Sequence, residues 1–451
     1  MVSSKRKWVS VLVVCLLMLS AVLTACSGSK SGGDTQGGTS GDGGQSNQNN
    51  NKPINLTIWT GWADLDPWFN KMAEEYKKEH PNVTIEVSSF PLRDYEKKVA
   101  AALPARNAAD ILPMNPNLAL RYIGTNLLQP VPDDLAKYVN DTNVHPQAFI
   151  DTANVNGKTY SVPAFFGAGA IFYNKDYLKE ANLDRPPQDV TEFLDYARKL
   201  AKYDASGNLV RAGQSLRLSG GGSGVGEKFW NILAQRGGSI VKEVSPGKYK
   251  ANYNTPEGVE TLKMYVDMVH KYRTDDPKLK HDTEAFQTGV AAFYIRESNV
   301  IMDTAKKAPN LNYGTAPLKA NVVSLINFYV SSTDKDKQDA AWDFIRFLTK
   351  PENHKQLIET SGWLAARTDL DLKDLYAKYP QFEAFYTKQE YQLYPPIPEF
   401  DEILTKFADR LANRGFVDPS FVDNPDKIKA FLDEAAKETN DILKQNGHLA
   451  E

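Results

Sequence analysis

The chain has 451 residues, 41% hydrophobic and 24% charged. That composition excludes a disordered polymer, and the length exceeds what one ordinary core organises, so two lobes of roughly 150–200 residues each are expected. The formal charge of −3 leaves no basic footprint for nucleic acid and no cationic cluster for a membrane surface.

The first 52 residues read as an address and a tether. Lys5, Arg6 and Lys7 precede an uncharged run from Trp8 to Leu23, too short for a comfortable membrane span but suited to export. The run ends in Leu23-Thr24-Ala25-Cys26, which resembles a lipobox. Residues 1–25 are therefore expected to be a lipoprotein signal peptide, with Cys26 carrying the lipid. The only other cysteine, Cys15, lies in the apolar run, so no disulfide can staple the remainder. Residues 26–52 hold the lipidated cysteine and a linker built almost wholly of Ser, Gly, Asn, Gln, Asp and Thr that cannot bury a core. As a flexible coil that linker reaches about 30 Å. The expected location is extracytoplasmic, tied by lipid to the cell membrane, as on a Gram-positive cell surface.

From Pro53 onward, strand and helix signals alternate. Ile54, Leu56 and Ile58 predict a strand over Ile54–Thr60. Asp66-Pro67 offers an N-cap and a first-turn proline, followed by Phe69, Met72, Ala73 and Tyr76 on one helical face and a stop at His80-Pro81. Val83, Ile85 and Val87 give the next strand, completing a βαβ unit and implying a parallel sheet. A third strand is expected over Ala108–Met114. Ser219–Lys228 is glycine-rich, but Glu227 stands where a phosphate loop needs lysine, so it reads as a turn opening a helix at Glu227–Ala234. Thr255-Pro256 caps a helix bearing Val259, Leu262, Val266 and Val269. Val322–Ser331 reads as a strand, and Asp339–Lys350 as a helix bearing Ala341, Trp342, Ile345 and Leu348. Two α/β lobes follow, with their cleft as the natural ligand site.

Familiar catalytic patterns are missing. The six histidines are scattered without metal spacing, and neither a G-x-S-x-G nor an H-E-x-x-H run occurs. No cofactor and no metal are expected. The Asp64 and Asp66 carboxylates sit at a helix start and read as caps rather than a glycosidase pair.

Five motifs, from Leu56 to about Leu370, resemble the extracellular solute-binding proteins of the family-1, maltodextrin-binding type. They are Leu56-Thr57-Ile58-Trp59 leading to Tyr76–Val83; Asn107–Ile111; Asn156–Pro163 with Phe172–Asp176; Phe286–Phe293; and Ala340–Thr349 with Ser361–Ala366. The second departs from the family pattern by carrying alanine where proline is usual.

The resemblance implies a two-lobe, periplasmic-binding-protein-like α/β fold with a hinge and an interlobe ligand cleft. On that reading residues 53–163 and about 298–350 form the N-terminal lobe, and 164–297 and about 351–451 the C-terminal lobe. It further implies a monomer, not an enzyme, that delivers a small molecule to the transmembrane subunits of an ABC permease. Within the family mono- and oligosaccharides predominate. A charged solute, such as a polyamine or phosphorylated glycerol, stays open, as does a surface enzyme that cleaves polysaccharide.

A sugar presents an apolar face to an aromatic ring and a rim of hydroxyls to polar groups. Strand and segment ends supply the candidates: Trp62 and Asp64 after the first strand, Asn115 after the third, Phe165 and Phe166 after Pro163, Ser223 and Trp230 around the glycine turn, Arg296 and Glu297 after Phe293, and Trp363. Trp59, Trp68 and Trp342 read as core.

Overall fold

The computed structural model describes residues 52–279, 282–387 and 389–451. The expected signal peptide, the lipidated Cys26 and the linker through Asn51 lie outside the described residues.

Strand β1, Ile54–Thr60, buries Leu56, Ile58 and Thr60 and pairs in parallel with β2, Val83–Ser89, joining Ile54 to Val83. Between them helix α1, Asp66–Glu79, buries Trp68, Phe69, Met72 and Tyr76. The βαβ unit thus forms as expected, with one difference at its start. A 3₁₀ turn over Ala63–Leu65 precedes α1, so Asp66 is already helical and does not cap. The turn forms because it drives Leu65 into the core, and Asp66 instead accepts from the Ser89 hydroxyl at 2.5 Å. Trp68 is wholly buried and donates to the Asn353 carbonyl at 2.9 Å. Trp342 is also core, whereas Trp59 is only partly covered, with Lys98 over its ring at 4.1 Å.

Helix α2, Leu92–Ala102, strand β3, Ile111–Met114, and helix α3, Pro116–Ile123, continue the first lobe. Its sheet runs Leu364–Ala365, Val162–Gly167, Ala320–Val330, β3, β1, β2, with Glu390–Leu393 parallel to the start of Ala320–Val330. The second sheet runs Tyr313–Pro317, Gly169–Asn174, Ala291–Glu297, Leu209–Ser215, Lys202–Tyr203. The Thr255 cap is present, its hydroxyl accepting from Gly258 N at 3.4 Å.

The chain passes between the sheets at three neighbouring places. Val162–Gly167 ends in the first sheet and Gly169–Asn174 begins in the second. Ala320–Val330 opens with Ala320 and Val322 in the second core and continues into the first. Glu390–Leu393 leads on towards the second-lobe helix Phe400–Arg410. Asn321 clips the first two crossings, accepting from Gly169 N and donating to Gly169 O, both at 2.6 Å.

Two segments depart from the expected lobe division. Tyr313–Pro317, expected in the N-terminal lobe, pairs with Gly169–Asn174 in the second sheet. Pro351–Ser361 packs on α1, and Ala366 N donates to the Ala164 carbonyl at 3.1 Å, so this stretch belongs to the first lobe. Its apolar residues Leu357 and Ile358 complete the core under α1. Pro380–Phe382 and Glu383–Tyr386 already pack on Tyr313–Pro317 of the second sheet, and from about Ile397 the chain lies in the second core.

Two wholly buried histidines stand here, His354 on the Pro351–Ser361 helix itself and His145 from earlier in the first lobe. His145 Nδ1 meets the Ala366 carbonyl at 2.6 Å, while both ring nitrogens of His354 lack a hydrogen-bond partner among the described residues. Burial, then the neighbouring Arg367 and His145, push the His354 imidazole down to about 3. An unfolded histidine titrates near 6.5, so below that pH the unfolded chain binds the proton that the native imidazole refuses. This stability is complete above about pH 6.5 and is lost as pH falls towards 3, by up to ~1.4 kcal/mol per pH unit. His354→Leu should therefore flatten the decline between pH 6.5 and 5 in urea unfolding; an unchanged slope would refute this assignment.

Candidate functional site

A cleft of about 1230 Å³ opens between the lobes. One wall comes from α2, α3 and the ends of β1 and β3. The other comes from Arg217, the start of the helix Gly224–Ala234, the end of Ala291–Glu297 and the helix Phe400–Arg410. At its inner end stand two tryptophans of the first lobe. Trp62 leaves β1 and Trp363 follows the left-handed Gly362, φ 80°. Both rest on Phe165, with ring centroids 5.5 and 5.8 Å away. Gly167 is required at this floor, because a Cβ there would come within 2.8 Å of the Trp363 ring.

Six of the sequence-derived candidates come together in the cleft: Trp62, Asn115, Ser223, Arg296, Glu297 and Trp363. Strand ends project Trp62, Asn115, Arg296 and Glu297 there, as the open-sheet rule anticipates, whereas Ser223 precedes a helix and Trp363 follows one. The other four lie elsewhere. Phe165 is wholly buried and serves as the platform beneath both tryptophans. Phe166 packs on Phe149 and Tyr391 within the core. Their burial has one cause: consecutive residues of a strand crossing between two packed layers are both covered. Trp230 sits behind the second wall, donating to Gln392 Oε1 at 2.7 Å and packing on Tyr394 and Phe400. Asp64 lines an adjacent groove and accepts from Trp363 Nε1 at 2.7 Å and Asn299 Nδ2 at 3.1 Å. Its carboxylate orients the Trp363 ring.

Sequence reasoning missed the charged walls. On α2, Arg93, Glu96, Lys97 and Ala100 share the cleft-facing stripe, and their spacing of three and four is the signal that could have found them. Opposite them, Asp401, Glu402, Thr405 and Lys406 repeat it on the helix Phe400–Arg410.

Most cations here are already matched. Arg93 meets Glu96 at 2.7 Å and Asp401 at 3.0 Å, and donates to Ser223 Oγ at 2.7 Å. Arg296 meets Asp282 at 3.2 Å and Glu297 at 3.0 Å, and the buried Lys228 also holds Glu297. Burial opposes ionisation of Glu297, but Lys228 and Arg296 outweigh it and hold the carboxyl down to about 2. Lys406 has Glu402 at 3.5 Å and Arg121 donates to the Pro398 carbonyl at 2.9 Å. Arg217 differs. Its backbone is left-handed, φ 53°, its guanidinium lies against Gly224, and it makes no hydrogen bond or ion pair among the described residues.

The pattern that defines bacterial extracellular solute-binding proteins matches residues 71–384, and the chain belongs to that family. It is similar to the melibiose/raffinose/stachyose-binding protein of Bacillus subtilis, 21% identical over 81% of this chain and 83% of that one. It is 24% identical to the sn-glycerol-3-phosphate-binding periplasmic protein of Pectobacterium atrosepticum, over 68% of this chain and 71% of that one. Its fold is that of the Listeria monocytogenes ABC substrate-binding protein solved with cycloalternan: TM-score 0.73, 20% identity, 87% of this chain and all of the other.

Trp62 is 9% exposed, far less than a free stacking ring would be. Its loss leaves a cavity against Tyr95 and Phe165. Trp62→Ala should cost about 3–5 kcal/mol of apo stability, and Trp363→Ala, at a half-buried site, clearly less. Chemical denaturation of both variants checks this, and equal losses would contradict the placement of the two rings.

Proposed function

We propose that the chain is the receptor of an ABC importer and captures a neutral carbohydrate between its lobes. The observation that supports this best is the asymmetry of the cleft. Aromatic rings stand at its inner end, while its walls carry many charged groups that are largely satisfied by one another. A phosphorylated or cationic solute would need several converging, unmatched charges, which this arrangement does not offer. A sugar asks for a ring face and a rim of donors and acceptors. Trp363 and the cleft edge of Trp62 supply the ring; Asn115, Ser223, Glu297 and the unmatched Arg217 supply the rim. The volume exceeds the roughly 300–1000 Å³ of common small-molecule pockets, which favours an oligosaccharide.

In this reading Cys26 carries a lipid, the mature chain acts as a monomer at the outer membrane face, and transmembrane permease subunits receive the sugar. Among the described residues no helix is long and apolar enough to cross a membrane. Cys26→Ser should release the protein or leave it unprocessed; unaltered membrane retention would argue against the anchor. The fate of the sugar is release without cleavage.

Titration calorimetry against neutral oligosaccharides, a polyamine and glycerol phosphate tests the ligand class. Binding is expected in the first group only. Trp363→Ala should weaken it by ten- to a hundredfold, the equivalent of about 1–3 kcal/mol of lost ring burial. Arg217→Gln should also weaken it, with apo unfolding unchanged. Tight binding of glycerol phosphate with no response to neutral sugars would overturn the proposal, and chromatography showing shortened glycans would replace it with an enzyme.

A further inference from the structure

The glycine-rich run also meets the opposite lobe. Gly222 adopts φ 77°, and a Cβ there would stand 3.0 Å from Arg93 Nε. Arg93 belongs to α2, whose Tyr95 and Val99 are anchored in the first core. Its guanidinium crosses the cleft, lies over the bare Gly222 backbone, donates to Ser223 Oγ and grips Asp401 through both carboxylate oxygens at 3.0 and 3.2 Å. Ser223 and Asp401 are both second-lobe residues, at the starts of helices whose Val225 and Leu404 lie in the second core. Glu96, one turn along α2, holds Arg93 Nη1 at 2.7 Å from the first-lobe side.

We propose that Arg93, seated on the Gly222 turn and paired with Asp401, is a positioning residue that latches the two lobes together and so sets the affinity of the cleft. It rests on the reading that ligand is held between the lobes. A planar guanidinium suits the role, because it can satisfy a carboxylate and a hydroxyl while lying flat on a glycine. The Arg93 and Asp401 side chains are 38% and 40% exposed, so water and salt compete and the latch is reversible rather than permanent. Glu96 keeps the guanidinium oriented when the lobes part. Apparent affinity scales with the fraction of protein already competent to bind, so a latch worth a few-fold in that fraction changes the dissociation constant a few-fold without touching the ligand.

Charge reversal tests it on the full chain. Without ligand, Arg93→Asp and Asp401→Arg should each raise the radius of gyration in small-angle scattering, and the double exchange should restore most of the compaction. High salt should expand the unaltered chain and leave the single variants unchanged. With a neutral oligosaccharide from the calorimetric panel, each single variant should bind roughly three- to tenfold more weakly and the double should recover. Arg93→Lys and Asp401→Asn repeat the test with smaller perturbations should the reversals fail to fold. Unaltered scattering from folded single variants would overturn the latch. Weaker binding that the double exchange does not repair, at constant radius of gyration, would instead make Arg93 a direct ligand contact. The scattering needs no ligand, so failure of the carbohydrate reading would leave this result standing.

Discussion

The buried amide of Asn321 is the constraint on which the architecture turns. It makes paired hydrogen bonds with the backbone of a single residue, Gly169, on the neighbouring crossing strand, and donates also to Gln389. A buried amide left without those partners would cost about 1–3 kcal/mol, so the two crossings are held at one fixed point. Two residues earlier, Gly167 lies under the Trp363 ring and beside Glu297. The floor of the cleft is therefore tied to the crossing strands, and the sugar proposed to stack on Trp363 would lie beside them, within reach of both lobes.

Around those crossings the chemistry is divided between the lobes. The first contributes rings and their support: Trp62 and Trp363 share Phe165, and Asp64 fixes the Trp363 indole N–H. The second contributes charge that is mostly internally matched, through Lys228, Glu297, Arg296 and Asp282. Such a network holds donors and acceptors in place while presenting little net field. That suits a hydroxyl-rich, uncharged ligand better than an ion.

Much of this is legible in the amino-acid sequence. The alternation in Ile54–Thr60 and the helical face through Tyr76 specify the βαβ unit, since burial of one face decides both periods. The Thr255 cap is legible because its partner, Gly258, lies three residues away. Residues whose role depends on distant partners are not. Phe165, Phe166 and Trp230 resemble ligand contacts because each follows a segment end, but packing across two layers buries them. Asp64 resembles a contact and is a brace for a ring nearly three hundred residues away in sequence. Arg93 and Asp401 are likewise far apart in the chain, and no local pattern pairs them. Residues beyond about 370 carry none of the five motifs, yet Tyr394 and Asp401 line the cleft.

Native mass spectrometry of freshly purified protein tests most directly whether an uncharged sugar is held between the lobes. The predicted result is an added mass equal to a whole number of neutral sugar residues, one ligand per chain, lost when Trp363 is replaced by alanine. An added mass matching a polyamine or a phosphorylated compound, or a sugar adduct that persists undiminished in the Trp363→Ala protein, would contradict it.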